Sequence, residues 1–275
     1  MKRIVFWLKE PLPGKVIRAL RRRMYFHSVF VETVLETDDI EPVDGALYIT
    51  SEQDLFKKLT DKGIKPVQLG FGTDNISFFE GSKYYIVNPE EISFEEYSLY
   101  YKRLNSLPVE ITRTKRLIIR ETAESDVDDF YEMYKNPEMT RYTEPLYDDI
   151  EEEKKYVTEY REKVYNLESP GIWTLIRKKD KRIIGRAGII ASSDYDCEIG
   201  FAVGCEFQKQ GYAYEAVNRI KQIAAKRYGV KEISALVMPG NIASKALLTK
   251  AGFKKLTVTQ KNGILYEVWK YDYIA

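Results

Sequence analysis

Cysteine is nearly absent: the 275 residues hold only Cys197 and Cys205. That excludes a disulfide framework and fits a reducing compartment. Histidine is scarcer still, and the lone His27 excludes a histidine-built metal cluster. Apolar runs are short, none approaching the ~20 residues of a membrane helix. The opening Met1-Lys-Arg-Ile-Val-Phe-Trp-Leu-Lys9 carries basic residues and an apolar stretch, but Pro11 and Pro13 follow and no cleavage site does. It reads as a first strand and not a secretory signal, so a cytoplasmic protein without membrane partners is expected. Net charge is close to absent too. Lys and Arg total 43 against 42 Asp and Glu, which leaves no global field to attract nucleic acid. Tyrosine is the abundant aromatic, and amphipathic packing accounts for it.

The length admits one large domain or two smaller ones. Residues 1–110 read as a separate small α/β domain. Strands are expected at 4–8, 29–35, 46–49, 65–70 and 84–87, and helices at 15–24, after Ser51 as far as Gly63, and at 94–104. Alternation of strands with helices points to a parallel, Rossmann-like sheet. The order vaguely resembles part of a haloacid-dehalogenase sheet, but Lys9 and Glu10 stand where that family has its nucleophilic aspartate. Gly70-Phe71-Gly72 lacks the third glycine of a dinucleotide loop. The domain is therefore expected to be a non-catalytic accessory. One feature stands out: Lys15, Arg18 and Arg22 share a helix face, flanked by Arg21 and Arg23. This is either an ordinary solvated face or a dock for an acidic partner or nucleic acid.

Asn105-Ser-Leu-Pro108 is a short polar linker, and Pro108 pushes Leu107 toward extended geometry. A second domain is expected over 111–275. It begins with a strand at 117–120, bracketed by Arg116 and Arg120, and continues with helices at 126–134 and 148–164. A hairpin is expected over 173–177 and 182–190, with Gly185 and Gly188 marking a bulge or close packing. Another closes on Lys261-Asn262-Gly263, whose Asn-Gly is the strongest hairpin signal in the chain.

Between these lies the stretch that carries chemistry. In 198–203, Ile199, Phe201 and Val203 alternate with Glu198, Gly200 and Ala202, the period of a strand. A loop with Gly204 and Gly211 follows. Then Ala213, Ala216, Val217, Ile220, Ile223 and Ala224 recur at helical spacing as far as Gly229. The first N–H groups of such a helix have no intrahelical acceptor and favour an anion. Gly211 allows close backbone approach, and Lys209 can add a charge. A second strand at 233–237, the turn Pro239-Gly240-Asn241, a short helix from Ser244, and a strand opened by Gly252-Phe253 complete the order.

With Gln208-x-x-Gly211-x-Ala213 in the loop and Asn241-x-x-Ser244 through Ala251-Gly252-Phe253 downstream, residues 112–273 resemble the GNAT N-acetyltransferase family. The nearest look is to its ribosomal-protein alanine acetyltransferase branch. The resemblance implies a mixed central sheet whose two middle strands splay apart after a bulge, and acetyl-CoA as co-substrate. Pantetheine would pair with the parted edges at 199–203, through Phe201, Ala202 and Val203, and at 235–237. The pyrophosphate would sit on the backbone of Gln208, Lys209, Gln210, Gly211, Tyr212, Ala213 and Tyr214. Asn241 and Ser244 would reach the cofactor from the next loop, although the same residues also make a plain turn and helix cap.

The implied reaction moves an acetyl group to a primary amine, of a peptide N-terminus or a small molecule, by direct transfer. Glu198, on the polar side of its strand, is the candidate base, against the alternative that it faces solvent or merely holds the ammonium. A backbone N–H near Val203 would serve the oxyanion. Many relatives carry a tyrosine four residues before the Gly-Phe pair, where this chain has Leu248. Tyr212 could substitute, though it reads better as a solvent-facing loop residue, and Cys205 lacks a nearby histidine to activate it. That departure sustains an alternative: a non-catalytic acyl-CoA-binding sensor or adaptor. The acidic residues near Glu138, Glu144 and Asp148 suit a cationic acceptor, and a homodimer is compatible with the family.

Overall fold

A computed structural model describes residues 1–35, 41–70, 78–192 and 196–273. Positions 71 and 72 of the glycine pair considered above lie outside them. The chain divides into two units, Met1–Leu107 and Pro108–Ala275.

In the first unit, β1 (Arg3–Leu8), α1 (Gly14–Tyr25), β2 (Phe30–Leu35), β3 (Ala46–Thr50), α2 (Gln53–Asp61), β4 (Val67–Leu69), β5 (Tyr85–Ile86) and α3 (Phe94–Leu104) follow in order. The strands form a sheet in the order β2-β1-β3-β4-β5, every pairing parallel. Ile4, Phe6 and Leu8 pack on one side with Val16, Leu20 and Met24 of α1, while Val5 and Trp7 meet Leu55 and Leu59 of α2 on the other. Both faces of β1 are covered, as a parallel sheet requires. Ser51 does not cap α2. Glu52 occupies that place without a side-chain bond, and the Ser51 hydroxyl donates to its carboxylate at 3.1 Å.

The second unit opens with an edge strand that periodicity did not reveal, β6 (Glu110–Arg113), paired with β7 (Leu117–Glu121). Then come α4 (Val127–Tyr134), α5 (Pro137–Thr140), α6 (Ile150–Lys163), β8 (Ile172–Arg177), β9 (Ile183–Ala191), β10 (Cys197–Val203), α7 (Tyr212–Tyr228), β11 (Glu232–Val237), α8 (Ile242–Lys250), β12 (Lys254–Lys261) and β13 (Ile264–Asp272). They build an eight-stranded mixed sheet ordered β12-β13-β11-β10-β9-β8-β7-β6. Its one parallel contact joins β10 to β11; the other pairs are antiparallel. Helix α7 buries Ala216, Val217, Ile220 and Ala224 against Ile199, Ile233 and Ala235.

Asp126 stands at the start of α4, as expected, and is buried there. It is 1 % exposed, takes both terminal nitrogens of Arg120 at 2.6 Å, and accepts from the Thr174 hydroxyl at 2.9 Å. In α6, where spacing puts both Tyr156 and Val157 toward the core, Val157 is buried and Tyr156 is 43 % exposed. The β12–β13 turn has positive φ at both Asn262 (51°) and Gly263 (78°), the type I′ geometry that Asn-Gly favours.

Candidate acetyl-transfer site

The splay is set by hydrogen-bond phase. β10 touches β11 only at Cys197 with Ile233 and Glu198 with Ser234. Beyond that rung β10 keeps register with β9 through Val203 opposite Gly185, and β11 keeps register with β13 through Val237 opposite Glu267. Each strand stays with its outer partner, and the sheet opens between them. The bulge expected in this strand is not there: β10 runs unbroken along β9. The register shift lies on the other side of β9, against β8 between Leu175 and Ile176. Two glycines of β9 permit the close approach. A Cβ on Gly185 would lie 2.1 Å from the Ala202 carbonyl oxygen, and one on Gly188 2.0 Å from that of Gly171.

The phase also says which backbone groups face the gap. Gly204 N–H donates to Ile184, so alternation turns Ala202 toward β9 and Phe201 and Val203 toward the gap. Ala202 is thus corrected as a backbone ligand. On the other edge, Tyr273 N–H donates to Lys231. The same alternation commits Ala235 and Val237 to β13 and leaves Leu236 facing the gap.

Glu198 stands on the last shared rung, where the strands part. Its side chain is half-buried on the face away from α7. Burial pushes its carboxyl above the usual carboxylate range; Lys261 nearby pulls the other way and Glu144 adds to the rise.

The loop before α7 is shaped by two left-handed residues, Lys209 (φ 58°) and Gly211 (φ 81°). Glu215 N–H reaches Gly211. The N–H groups of Lys209, Gln210, Gly211, Tyr212, Ala213 and Tyr214 donate to no acceptor among the described residues. They line a nest at a helix N-terminus, where an anion is favoured. The glutamines brace it: Gln208 Nε2 donates to the Val203 carbonyl and Gln210 Nε2 to that of Glu206, both at 2.9 Å.

Arg116, which spacing alone did not mark, holds the loop from below. Its Nε donates to Glu215 at 2.6 Å, Nη1 donates to the Gln210 carbonyl at 2.8 Å, and the guanidinium lies 4.3 Å from the Tyr212 ring centroid. Tyr212 is accordingly 8 % exposed and part of the core, not a solvent-facing residue.

Asn241 caps α8 itself, its Oδ1 accepting from Ser244 N–H at 3.0 Å. Ser244 lies within the first turn instead of capping it. The Tyr142 hydroxyl donates to the Gly240 carbonyl at 2.9 Å and ties the loop carrying Glu144 to this turn. Leu248 is fully buried, so no acid arises from its position. Cys205 is a partly exposed free thiol.

Parted strands, a half-buried carboxylate at their fork and an amide-lined helix mouth define the fold of a coenzyme A-dependent acyltransferase. Residues 116–254 match the family model described as the acetyltransferase (GNAT) domain, and the chain belongs to that family. It is similar to YoaA, an uncharacterized N-acetyltransferase of Bacillus subtilis, with 29% identity over 176 residues covering 60% of this chain and 96% of YoaA. In fold it is similar to the ribosomal-protein-S5-alanine acetyltransferase of Vibrio fischeri, at TM-score 0.52 and 17% identity over 60% of this chain and 96% of that one. It is likewise similar to RimL, a ribosomal alpha-N-protein acetyltransferase solved in complex with coenzyme A, at TM-score 0.50 and 18% identity over 59% and 96% of the two chains. The chain is an N-acetyltransferase that uses acetyl-CoA. Its own residues fit that co-substrate, because the unpaired amides over 209–214 and the parted edges are the donors and acceptors its phosphates and amides need.

Proposed function

We propose that the second unit transfers acetyl directly from acetyl-CoA to a cationic primary amine, with Glu198 as the base. The observation that carries this reading is the place of Glu198: a half-buried carboxylate on the last rung before β10 and β11 part. Pantetheine lies along the gap, paired with the backbone of Phe201, Val203 and Leu236. The pyrophosphate takes the amides over 209–214, with Lys209 beside it and the Asn241 Nδ2 within the neighbouring turn.

An alkyl ammonium must lose a proton before it can attack. Glu198 first holds the ammonium and then takes that proton. The amine nitrogen bonds to the thioester carbonyl carbon, the carbon–sulfur bond breaks with its electron pair on sulfur, and the second proton shed by nitrogen passes through water to the departing thiolate, so coenzyme A is released as thiol. Val203 N–H, directed into the gap, donates to the carbonyl oxygen as charge develops. No dedicated acid is needed. A thiol of ordinary acidity, near ~8.5, leaves readily and is protonated by water, so Leu248 is no obstacle to turnover. Glu144 beside Glu198 makes the entrance anionic and favours an acceptor carrying positive charge, a peptide N-terminus or a polyamine-like compound. The first unit serves as a non-catalytic accessory.

Thiol release from acetyl-CoA with a panel of amines tests the proposal. Turnover is expected with cationic primary amines and not with neutral hydroxyl acceptors. Binding of acetyl-CoA without thiol release from any amine would refute transfer.

A further inference from the structure

The outward face of α1 is made of cations and aromatic rings. Val16, Leu20 and Met24 form its buried stripe. At 100° per residue, Lys15, Arg18, Arg22, Tyr25 and Phe26 fall within an arc of about 100° on the opposite side. All five are exposed. Tyr25 is 77 % and Phe26 84 % accessible, and Phe30, which begins edge strand β2, is 72 % accessible. Tyr25 and Phe26 meet edge to face with centroids 5.7 Å apart, so each ring keeps an open face. No acidic residue occurs in α1.

The other two arginines are committed. Arg21 Nε donates to the Val31 carbonyl at 3.2 Å and Arg23 Nη1 to that of Glu91 at 2.5 Å, which fixes the helix to its neighbours. Lys15, Arg18 and Arg22 make no ion pair among the described residues. The nearby Glu32 is already paired with Arg3 at 2.8 Å. The near-zero charge of the whole chain conceals this patch, because screening limits charge effects to about 10 Å.

Three kinds of anionic partner suit such a surface, and the geometry separates them. A helix lying on a membrane buries its apolar stripe in lipid; here that stripe is in the core. An amphipathic acidic peptide needs a groove for its anchors; here the face is convex. Exposed rings beside cations suit unpaired bases, which need only a π-face, and the phosphates that join them. We infer that the α1 face binds single-stranded nucleic acid, with phosphates along Lys15, Arg18 and Arg22 and bases stacked on Tyr25, Phe26 and Phe30. This does not rest on the acetyl-transfer reading, since no residue is shared.

Fluorescence anisotropy of a labelled mixed-sequence RNA of about 12 nucleotides, within the usual site size, tests this on the full chain. Three phosphate contacts predict a log–log salt slope of about −2, or about 20-fold weaker binding between about 50 and 200 mM salt. Arg18→Glu with Arg22→Glu should abolish most of that slope. Tyr25→Ala and Phe26→Ala should each weaken binding at least about fivefold with the slope unchanged. Far-UV circular dichroism and the calorimetric transition of the first unit, both expected to be unchanged, report that each variant is folded. Three results would overturn the inference: no saturable binding at low salt, wild-type affinity in both aromatic variants, or equal competition by polyglutamate.

Discussion

Half-burial of Glu198 works against the fold at neutral pH and for the reaction. Its carboxyl is raised above the unfolded value by desolvation, so the native state holds the proton more tightly. The resulting stability is fully present below the unfolded pKa of about 4.3 and is lost as pH rises through the higher folded value. Glu198→Gln removes this titration. The variant should melt higher than wild type at pH 7 to 8, with the gain vanishing toward about pH 4, where both side chains are neutral. Its kcat/KM should fall about 10²- to 10⁴-fold, and the rising acid limb of the wild-type pH–rate profile should disappear. Differential scanning fluorimetry and thiol-release kinetics on the same preparations read both effects. Equal turnover in Glu198→Gln would leave the carboxylate a mere holder of the ammonium. Asp126 holds the fold together by its contacts. It is buried and bound by Arg120, Thr174 and the Ala123 N–H, and Asp126→Ala should cost about 3–5 kcal/mol in urea unfolding by leaving Arg120 unpaired.

Among elements, the loop into α7 and the strands beside it depend on glycines for different reasons. At Gly211 the reason is conformational: φ is 81° and the nearest obstacle to a Cβ is Arg116 Nη2 at 3.4 Å. Gly211→Ala should fold, lose about 1–2 kcal/mol from left-handed strain, and bind acetyl-CoA more weakly in calorimetric titration. At Gly185 the reason is contact: the Ala202 carbonyl oxygen at 2.1 Å cannot move without opening the β9–β10 ladder. Gly185→Ala should therefore give little soluble protein. Local patterns announced much of this region. The alternation in 198–203, the helix stop at Gly229 and the Asn262-Gly263 turn all depend on residues close in sequence, and each is in place. Contacts across the chain were not legible. Arg116 meets Glu215 across 99 positions, Tyr142 meets Gly240 across 98, and the gap-facing identity of Leu236 depends on the β13 register. Periodicity carries no trace of any of them. The burial of Tyr212 is illegible for the same reason, because it depends on the core cluster it joins and on the Arg116 guanidinium against its ring.

At the scale of the whole molecule, the family match falls on one side of the chain. The match spans 116–254, and YoaA aligns over 96% of its length with 60% of this chain. The matched region lies wholly within the second unit, so that unit is expected to fold without residues 1–107. The second unit begins earlier than the matched region. Val109 N–H donates to Glu121 Oε2 at 3.0 Å and its carbonyl accepts from Glu121 N–H, with β6 following directly. A cut at 111 falls inside that strand, and a cut at 107 does not. The fragment 108–275 should therefore unfold in one cooperative transition and gain melting temperature with acetyl-CoA as RT ln(1 + [L]/Kd) requires. The fragment 112–275, lacking two edge-strand residues and the Val109 bonds, should melt lower while keeping its acetyl-CoA response. In the full chain, calorimetry should resolve two transitions, of which acetyl-CoA shifts only the one shared with 108–275. A single transition moved as a whole by acetyl-CoA would instead mean that the two units unfold as one.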